Sequence, residues 1–219
     1  MGIKYLAKAP ALLFCMFFLT SSVAVAADNP EKSYDGLVRK HDAKAAAVYV
    51  KPEADFSIYK SVRILDVDIA FKKNWQREHR GVTKNDMERI KRRLAEMFRE
   101  VFVDVLEKGG YPVVYEDGDD VLLIRPAIID LDITAPDVMT AGRSRTYVTS
   151  AGAATLYIEL YDSSTGEILA RAIDRKSGRD YGSWRMSSSV TNSAEARRIL
   201  KQWARMLKEG LDRAEGKRE

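Results

Sequence analysis

The sequence predicts an α+β domain of two layers. A mostly antiparallel sheet of about five to six strands carries two amphipathic helices on one face. Three observations carry that expectation. The segments 61–71 and 145–161 alternate apolar and polar residues with the period of a strand, and 121–134 reads as a further long strand. The segments 83–108 and 192–211 repeat apolar residues every three or four positions, the period of a helix. The strands are grouped, with one helix inside the series and one closing it.

The 219 residues suffice for one domain with a proper core. Charged residues are 31% and hydrophobic residues 46%, an ordinary globular balance. The N-terminus has three parts. Lys4 and Lys8 are positive, Ala9 to Thr20 is an apolar run, and Ala24 and Ala26 sit at −3 and −1 of a small-residue site. This is the layout of a secretory signal, with cleavage expected between Ala26 and Ala27. The run is too short to span a bilayer, which takes roughly 20 residues. Cleavage removes two lysines, so the net charge falls from +4 to +2. So small an excess argues against a nucleic-acid partner.

The expected organisation is therefore a signal peptide at 1–26, an extended arm at 27–44, one α+β domain at 45–214 and a charged tail at 215–219. The single cysteine, Cys15, lies in the signal, which leaves the exported chain without a disulfide or thiol. Phe14 stands where a bacterial lipobox takes a small residue, so lipidation of Cys15 is the alternative rather than the expectation. Export to the periplasm is expected, with membrane association only through a retained signal or a lipidated Cys15.

The elements follow in order. Ala45 to Val50 is apolar and ends at Lys51-Pro52, an edge strand or docked segment. Asp55 to Tyr59 is a turn anchored by aromatics. Ser61 to Phe71 is a strand with Val62, Ile64, Asp66, Asp68 and Ala70 on one face. Lys72 to Val82 is a charged connection in which His79 is an exposed loop histidine. Thr83 caps the long helix, with Asp86 three residues on. Nine apolar positions follow: Met87, Ile90, Leu94, Met97, Phe98, Val101, Phe102, Val105 and Leu106. Gly109-Gly110 stops the helix with a left-handed residue. Tyr111 to Tyr115 is a strand and Glu116 to Asp120 a turn.

Val121 to Thr134 is a long strand, bent or at an edge near Pro126, with Asp130 and Asp132 on one face. Arg145 to Tyr161 alternates again. Val148, Ala154, Leu156, Ile158 and Leu160 face one way; Tyr147, Thr155, Tyr157, Glu159 and Tyr161 face the other. Asp162 to Glu167 is a hairpin turn, and Ile168 to Lys176 the return strand. Gly178 to Thr191 is a polar loop. Asn192 caps the last helix, with Ile199, Trp203, Met206, Leu207 and Leu211 as its buried stripe.

Two sets of residues are candidates for chemistry. Within Gly142-Arg143-Ser144-Arg145-Thr146-Tyr147, Arg143 and Arg145 share a face when extended, and Gly142 lets a ligand approach the backbone. The guanidinium forks suit a phosphate or carboxylate, so Arg143, Arg145 and Tyr147 form a candidate anion site. The same arginines also suit pairing with strand acids. The second set is Asp66, Asp68, Asp130 and Asp132, two pairs of carboxylates able to hold a hard cation or do acid–base work. As a solvated face they would meet arginines such as Arg171 and Arg175. No H-E-x-x-H spacing, P-loop or G-x-S-x-G elbow occurs. Neither metal nor cofactor is expected.

Several runs resemble a bacterial exported family, domain of unknown function 3313. They are Phe71 to Arg77, Leu106 to Val114, Arg125 to Asp132, Ala141 to Tyr147, Glu159 to Ser163 and Ser189 to Asn192 with the helix that follows. The resemblance covers about Tyr34 to Ala214. It implies an envelope protein of lipoprotein-like kin, without an assigned activity. The expected function is a non-enzymatic binding or interaction module whose partner is an envelope protein or envelope component. The alternatives are an anion-binding module using Arg143 and Arg145, or a small hydrolase using the paired aspartates.

Overall fold

Two long stretches of regular alternation and two long helices organise the chain. The computed structural model describes residues 35–133, 146–148, 152–177, 185–187 and 189–216. The strands are β1 (Val38–Lys40), β2 (Ala47–Val50), β3 (Ser61–Ile64), β4 (Asp68–Phe71), β5 (Val113–Val114), β6 (Val121–Asp132), β7 (Thr146–Val148), β8 (Ala153–Asp162), β9 (Ile168–Ser177) and β10 (Arg185–Ser187). The helices are α1 (Trp75–Glu78), α2 (Lys84–Lys108) and α3 (Ser189–Ala214).

Among the described residues the fold is mixed α/β with one open sheet of eight strands. Its order is β1-β2-β9-β8-β6-β3-β5, and β4 also pairs with β6. β7 and β10 form a separate two-stranded pair. The expectation of five to six mostly antiparallel strands is corrected. β1, β2, β9, β8 and β6 are antiparallel neighbours, whereas β3 and β4 run parallel to β6, and β5 parallel to β3. The cause is α2, a crossover between β4 and β5; parallel strands need such a connection. β1 also places a strand within the 27–44 arm.

Pro126 is neither at an edge nor at a bend. It is buried and pairs with Ile158 in the middle of the sheet. The Ile124 carbonyl accepts from the Leu65 N–H at 2.9 Å. Two residues on, Pro126 turns the same way, towards the gap where β3 has ended and β4 has not begun. A central proline is tolerated there because no carbonyl waits for its missing donor. The same gap changes the strand's phase. Val62 and Ile64 face the core before it, and Val67, Ile69 and Phe71 pack against the core after it.

One core joins both long helices to one side of the sheet. Phe98, Val101, Phe102 and Leu106 of α2 and Ile199, Leu200, Trp203, Ala204 and Leu211 of α3 meet Ile124, Ile128, Leu156, Ile158 and Leu160. Phe98 and Phe102 stack with centroids 3.9 Å apart. α2 opens on the expected capping box: Thr83 Oγ1 accepts from Asp86 N at 3.1 Å, and Asp86 Oδ2 accepts from Thr83 N at 3.0 Å. Beyond its end Gly110 takes φ of 86°. The 162–167 hairpin also forms as expected, with Asp162 Oδ1 accepting from the N–H groups of Ser164 and Thr165 at 3.0 and 2.7 Å.

Three local expectations change. α3 begins at Ser189, so Asn192 lies within the helix rather than capping it. The 145–161 run is divided into β7 and β8. His79 is not a free loop residue: Phe71, Trp75 and His79 stack in a column with centroids 4.4 and 4.3 Å apart, and Trp75 is buried.

Candidate functional site

Where α3 lies over β2 and β9, the described residues leave a space between the two layers. The facing residues there are small, Ala170 and Ala172 on β9 and Gly210 and Ala214 on α3. A Cβ placed on Gly210 would meet no atom within 4 Å. The remaining space is a cavity of about 560 Å³, inside the ~300–1,000 Å³ range of small-molecule sites. Its walls are apolar: Val48 and Val50 of β2, Leu156 and Ile158 of β8, Trp203 and Leu211 of α3.

Polar contacts fix these walls. Asp174 is buried and accepts from Trp203 Nε1 at 2.8 Å and from Ala46 N at 3.1 Å. Lys176 Nζ lies 2.9 Å from the same carboxylate. Lys44 Nζ pairs with Glu209 at 2.9 Å, which ties the segment before β2 to α3. The Lys51 N–H donates to the Leu169 carbonyl at 2.7 Å. A buried carboxylate with this many donors is satisfied, so Asp174 positions Trp203 rather than facing a ligand.

Lys40, Asp42, Glu53 and Arg213 also line the cavity and are exposed. None of these four makes an ion pair among the described residues, whereas their neighbours Lys44 and Lys51 pair with Glu209 and Glu167.

On the opposite face of the sheet, the same two strands carry a buried polar cluster. Glu159 and Arg171 are cross-strand partners. Arg171 donates through Nε and Nη2 to Glu159 Oε1 at 3.1 and 2.8 Å, and through Nη2 to Asp35 at 2.5 Å. Tyr157 and Tyr161 donate their hydroxyls to the two Glu159 oxygens at 3.0 and 2.7 Å. Burial alone would push the Glu159 carboxyl up. The hydrogen bonds from Tyr161, Arg171 and Tyr157 and the Arg171 charge outweigh it and hold the group below its ordinary range. Burial and the bond to Glu159 push the Tyr161 hydroxyl up. Both Glu159 oxygens are occupied, so this cluster reads as a clamp between β8 and β9.

The residues singled out from sequence fall elsewhere. Arg143 and Arg145, and the Ala26–Ala27 cleavage site, lie outside the described residues; Tyr147 is placed only as backbone of β7, opposite Met186. Asp66 precedes β4 and Asp68 begins it, both exposed. Asp130 has φ of 51° at a bulge between Ile129 and Asp132, which breaks the shared face expected for Asp130 and Asp132. Asp132 meets Lys72 at 3.4 Å rather than an arginine. Arg171 and Arg175 turn to Glu159 and to Thr155 Oγ1 instead. Among the described residues no group of three or more His, Cys, Asp or Glu is placed to hold a metal, and no helix is long and apolar enough to cross a membrane.

Sequence reading missed the cavity residues. A signal was present: Ala170 and Ala172 alternate on a strand whose neighbour offers Leu156, Ile158 and Leu160, and Gly210 interrupts an otherwise strong helix. Only the crossing of α3 over β9 shows that these small residues face one another.

The model of a protein family described as "Protein of unknown function (DUF3313)" matches residues 27–207. The chain belongs to that family. No curated protein matches it. Among solved structures, it is similar to the PelC dodecamer from Paraburkholderia phytofirmans, with 13% identity and a TM-score of 0.38, over 74% of this chain and 96% of that one. It is also similar to a minor lipoprotein from Acinetobacter baumannii, with 8% identity and a TM-score of 0.36, over 73% and 95%.

Proposed function

We propose that this DUF3313 protein is an exported, non-enzymatic binding module of the bacterial cell envelope, and that it binds an apolar molecule in the cavity between α3 and β9. The observation that carries the reading is the cavity itself. Among the described residues, a cleft of about 560 Å³ reaches in beside buried Trp203, a volume within the ~300–1,000 Å³ range of small-molecule sites. A concave, mostly apolar lining with a few polar groups is the usual form of a small-molecule site. Support for export comes from the N-terminal sequence, with its lysines, short apolar run and Ala24/Ala26.

Titration with N-phenyl-1-naphthylamine, an uncharged apolar fluorophore, tests the site. Its emission should rise on binding. Ala172→Phe, which fills the cavity from β9, should abolish the rise while the circular dichroism spectrum is kept. No rise in the wild type would sink the reading. Export is tested separately: N-terminal sequencing of the protein from its native cells should begin at Ala27.

A further inference from the structure

Away from the cavity, we infer that the segment 72–93 is a docking surface for a bilayer that carries anionic phospholipid. Charge is the first observation. Residues 72–93 hold nine lysines and arginines against three acids, a net +6. The rest of residues 27–219 holds 25 against 29, a net −4. The small excess of the whole therefore hides one basic region and an acidic remainder. Inside α2 the sign changes sharply, because residues 94–108 carry two cations against four acids.

Chain connectivity keeps the nine cations together. They lie on the turn after β4, on α1, on its short link to α2, and on the first ten residues of α2, which rise about 15 Å. The link is fastened to the domain. Trp75 is buried, its Nε1 donates to the Ile133 carbonyl at 3.3 Å, and Gln76 Nε2 donates to the Val82 carbonyl at 3.3 Å. The three local acids are already engaged: Asp86 meets Arg89 at 2.8 Å, Glu88 meets Lys91 at 3.1 Å, and Glu78 lies 3.8 Å from Lys72. Lys73, Arg77, Arg80, Lys84 and Arg92 are exposed and have no acidic partner among the described residues.

A bilayer fits this surface better than a soluble polyanion because the segment is apolar as well as basic. The stripe of α2 that is buried at Phe98, Val101 and Phe102 runs back into Met87, Ile90 and Leu94, which are only half-buried. A basic amphipathic stretch lies at a membrane surface with its cations on the lipid phosphates and its apolar residues at the headgroup boundary. The acidic remainder is repelled by the same surface, which turns the basic end towards it. No residue of 72–93 lines the cavity, so the two surfaces are separate.

Vesicle flotation of the protein purified from its native cells tests the inference. Vesicles of phosphatidylcholine and phosphatidylglycerol in equal parts should bind at least about tenfold tighter than phosphatidylcholine alone, and added salt should shrink the difference. The variant Lys73→Gln/Arg80→Gln/Lys84→Gln/Arg92→Gln should lose that binding, keep the wild-type melting temperature and match the wild type in N-phenyl-1-naphthylamine titration. Lys60→Gln/Arg175→Gln/Lys201→Gln/Arg205→Gln makes the same change in net charge on exposed residues elsewhere and should bind vesicles like the wild type. Met87→Gln should weaken binding to the mixed vesicles. Equal binding to both kinds of vesicle, or equal loss in the two fourfold variants, overturns the inference. Poly-L-glutamate bound as tightly as the mixed vesicles assigns the segment to a soluble acidic partner and overturns it as well.

Discussion

The layer between helices and sheet has a filled half and an unfilled half. Under α2, Phe98 and Phe102 stack and press on Ile124 and Ile128, and all four are at most 1% exposed. Under the C-terminal part of α3, small residues line the space: Ala170 and Ala172 from β9 and Gly210 from α3. Both halves set a long helix on the same face of the sheet; large side chains fill one, and small ones leave the other open. The unfilled half is secured by other means. Asp174 holds Trp203 and the segment before β2 from above, and the Glu159–Arg171 cluster clamps β8 to β9 from below. A thinly packed strand keeps its register through polar contacts, which leaves the space above it free.

That comparison can be broken most severely in the filled half. Phe102→Ala removes a fully buried ring and should cost about 3–5 kcal/mol in denaturant unfolding. A loss below about 0.5 kcal/mol, as at a surface site, would show that the ring is not a core element.

The clamp comes next. Glu159→Gln leaves the shape but removes the charge that Arg171 and both tyrosines bind, at a cost of about 1.5–3 kcal/mol. Its pH dependence has a definite sign. The folded-state value for Glu159 is depressed, so its stabilisation is fully present above the ordinary value of 4.5 and is lost as pH falls through the lowered folded value. The gap between wild type and Glu159→Gln should therefore narrow below pH 4.5. A gap that widens there would remove the clamp.

Adding volume separates the halves directly. Ala204 is 0% exposed within the core, so Ala204→Leu should destabilise by about 1–3 kcal/mol through overpacking. Ala172→Leu adds the same bulk to the cavity and should change stability by less than about 0.5 kcal/mol while weakening N-phenyl-1-naphthylamine binding. Equal costs would mean that the cavity is closed in solution.

The smallest effect is expected at Gly210. Gly210→Ala places a methyl where there is room and raises helix propensity, so it should stabilise by about 0.5–1 kcal/mol. Destabilisation in thermal unfolding would show that α3 sits closer to β9 than the structure has it.

Several local elements were legible in the sequence alone. α2 was legible because nine apolar positions keep one period between a Thr83–Asp86 box and Gly109-Gly110, signals that act within a few residues. The two faces of β8 and the 162–167 turn were legible for the same reason, since alternation and an aspartate turn need no distant partner. What only the tertiary structure decided is pairing across distance. Parallel strands depended on how α2 crosses over. Pro126 became central because the gap between β3 and β4 falls beside it, and the phase of 61–71 changed at that gap. The candidate site depended on which small residues the crossing of α3 and β9 sets face to face. An alanine on a strand and a glycine in a helix carry the same local signal whether a neighbour fills the space above them or not, so a cavity is a property of the packing and is not written at any one position.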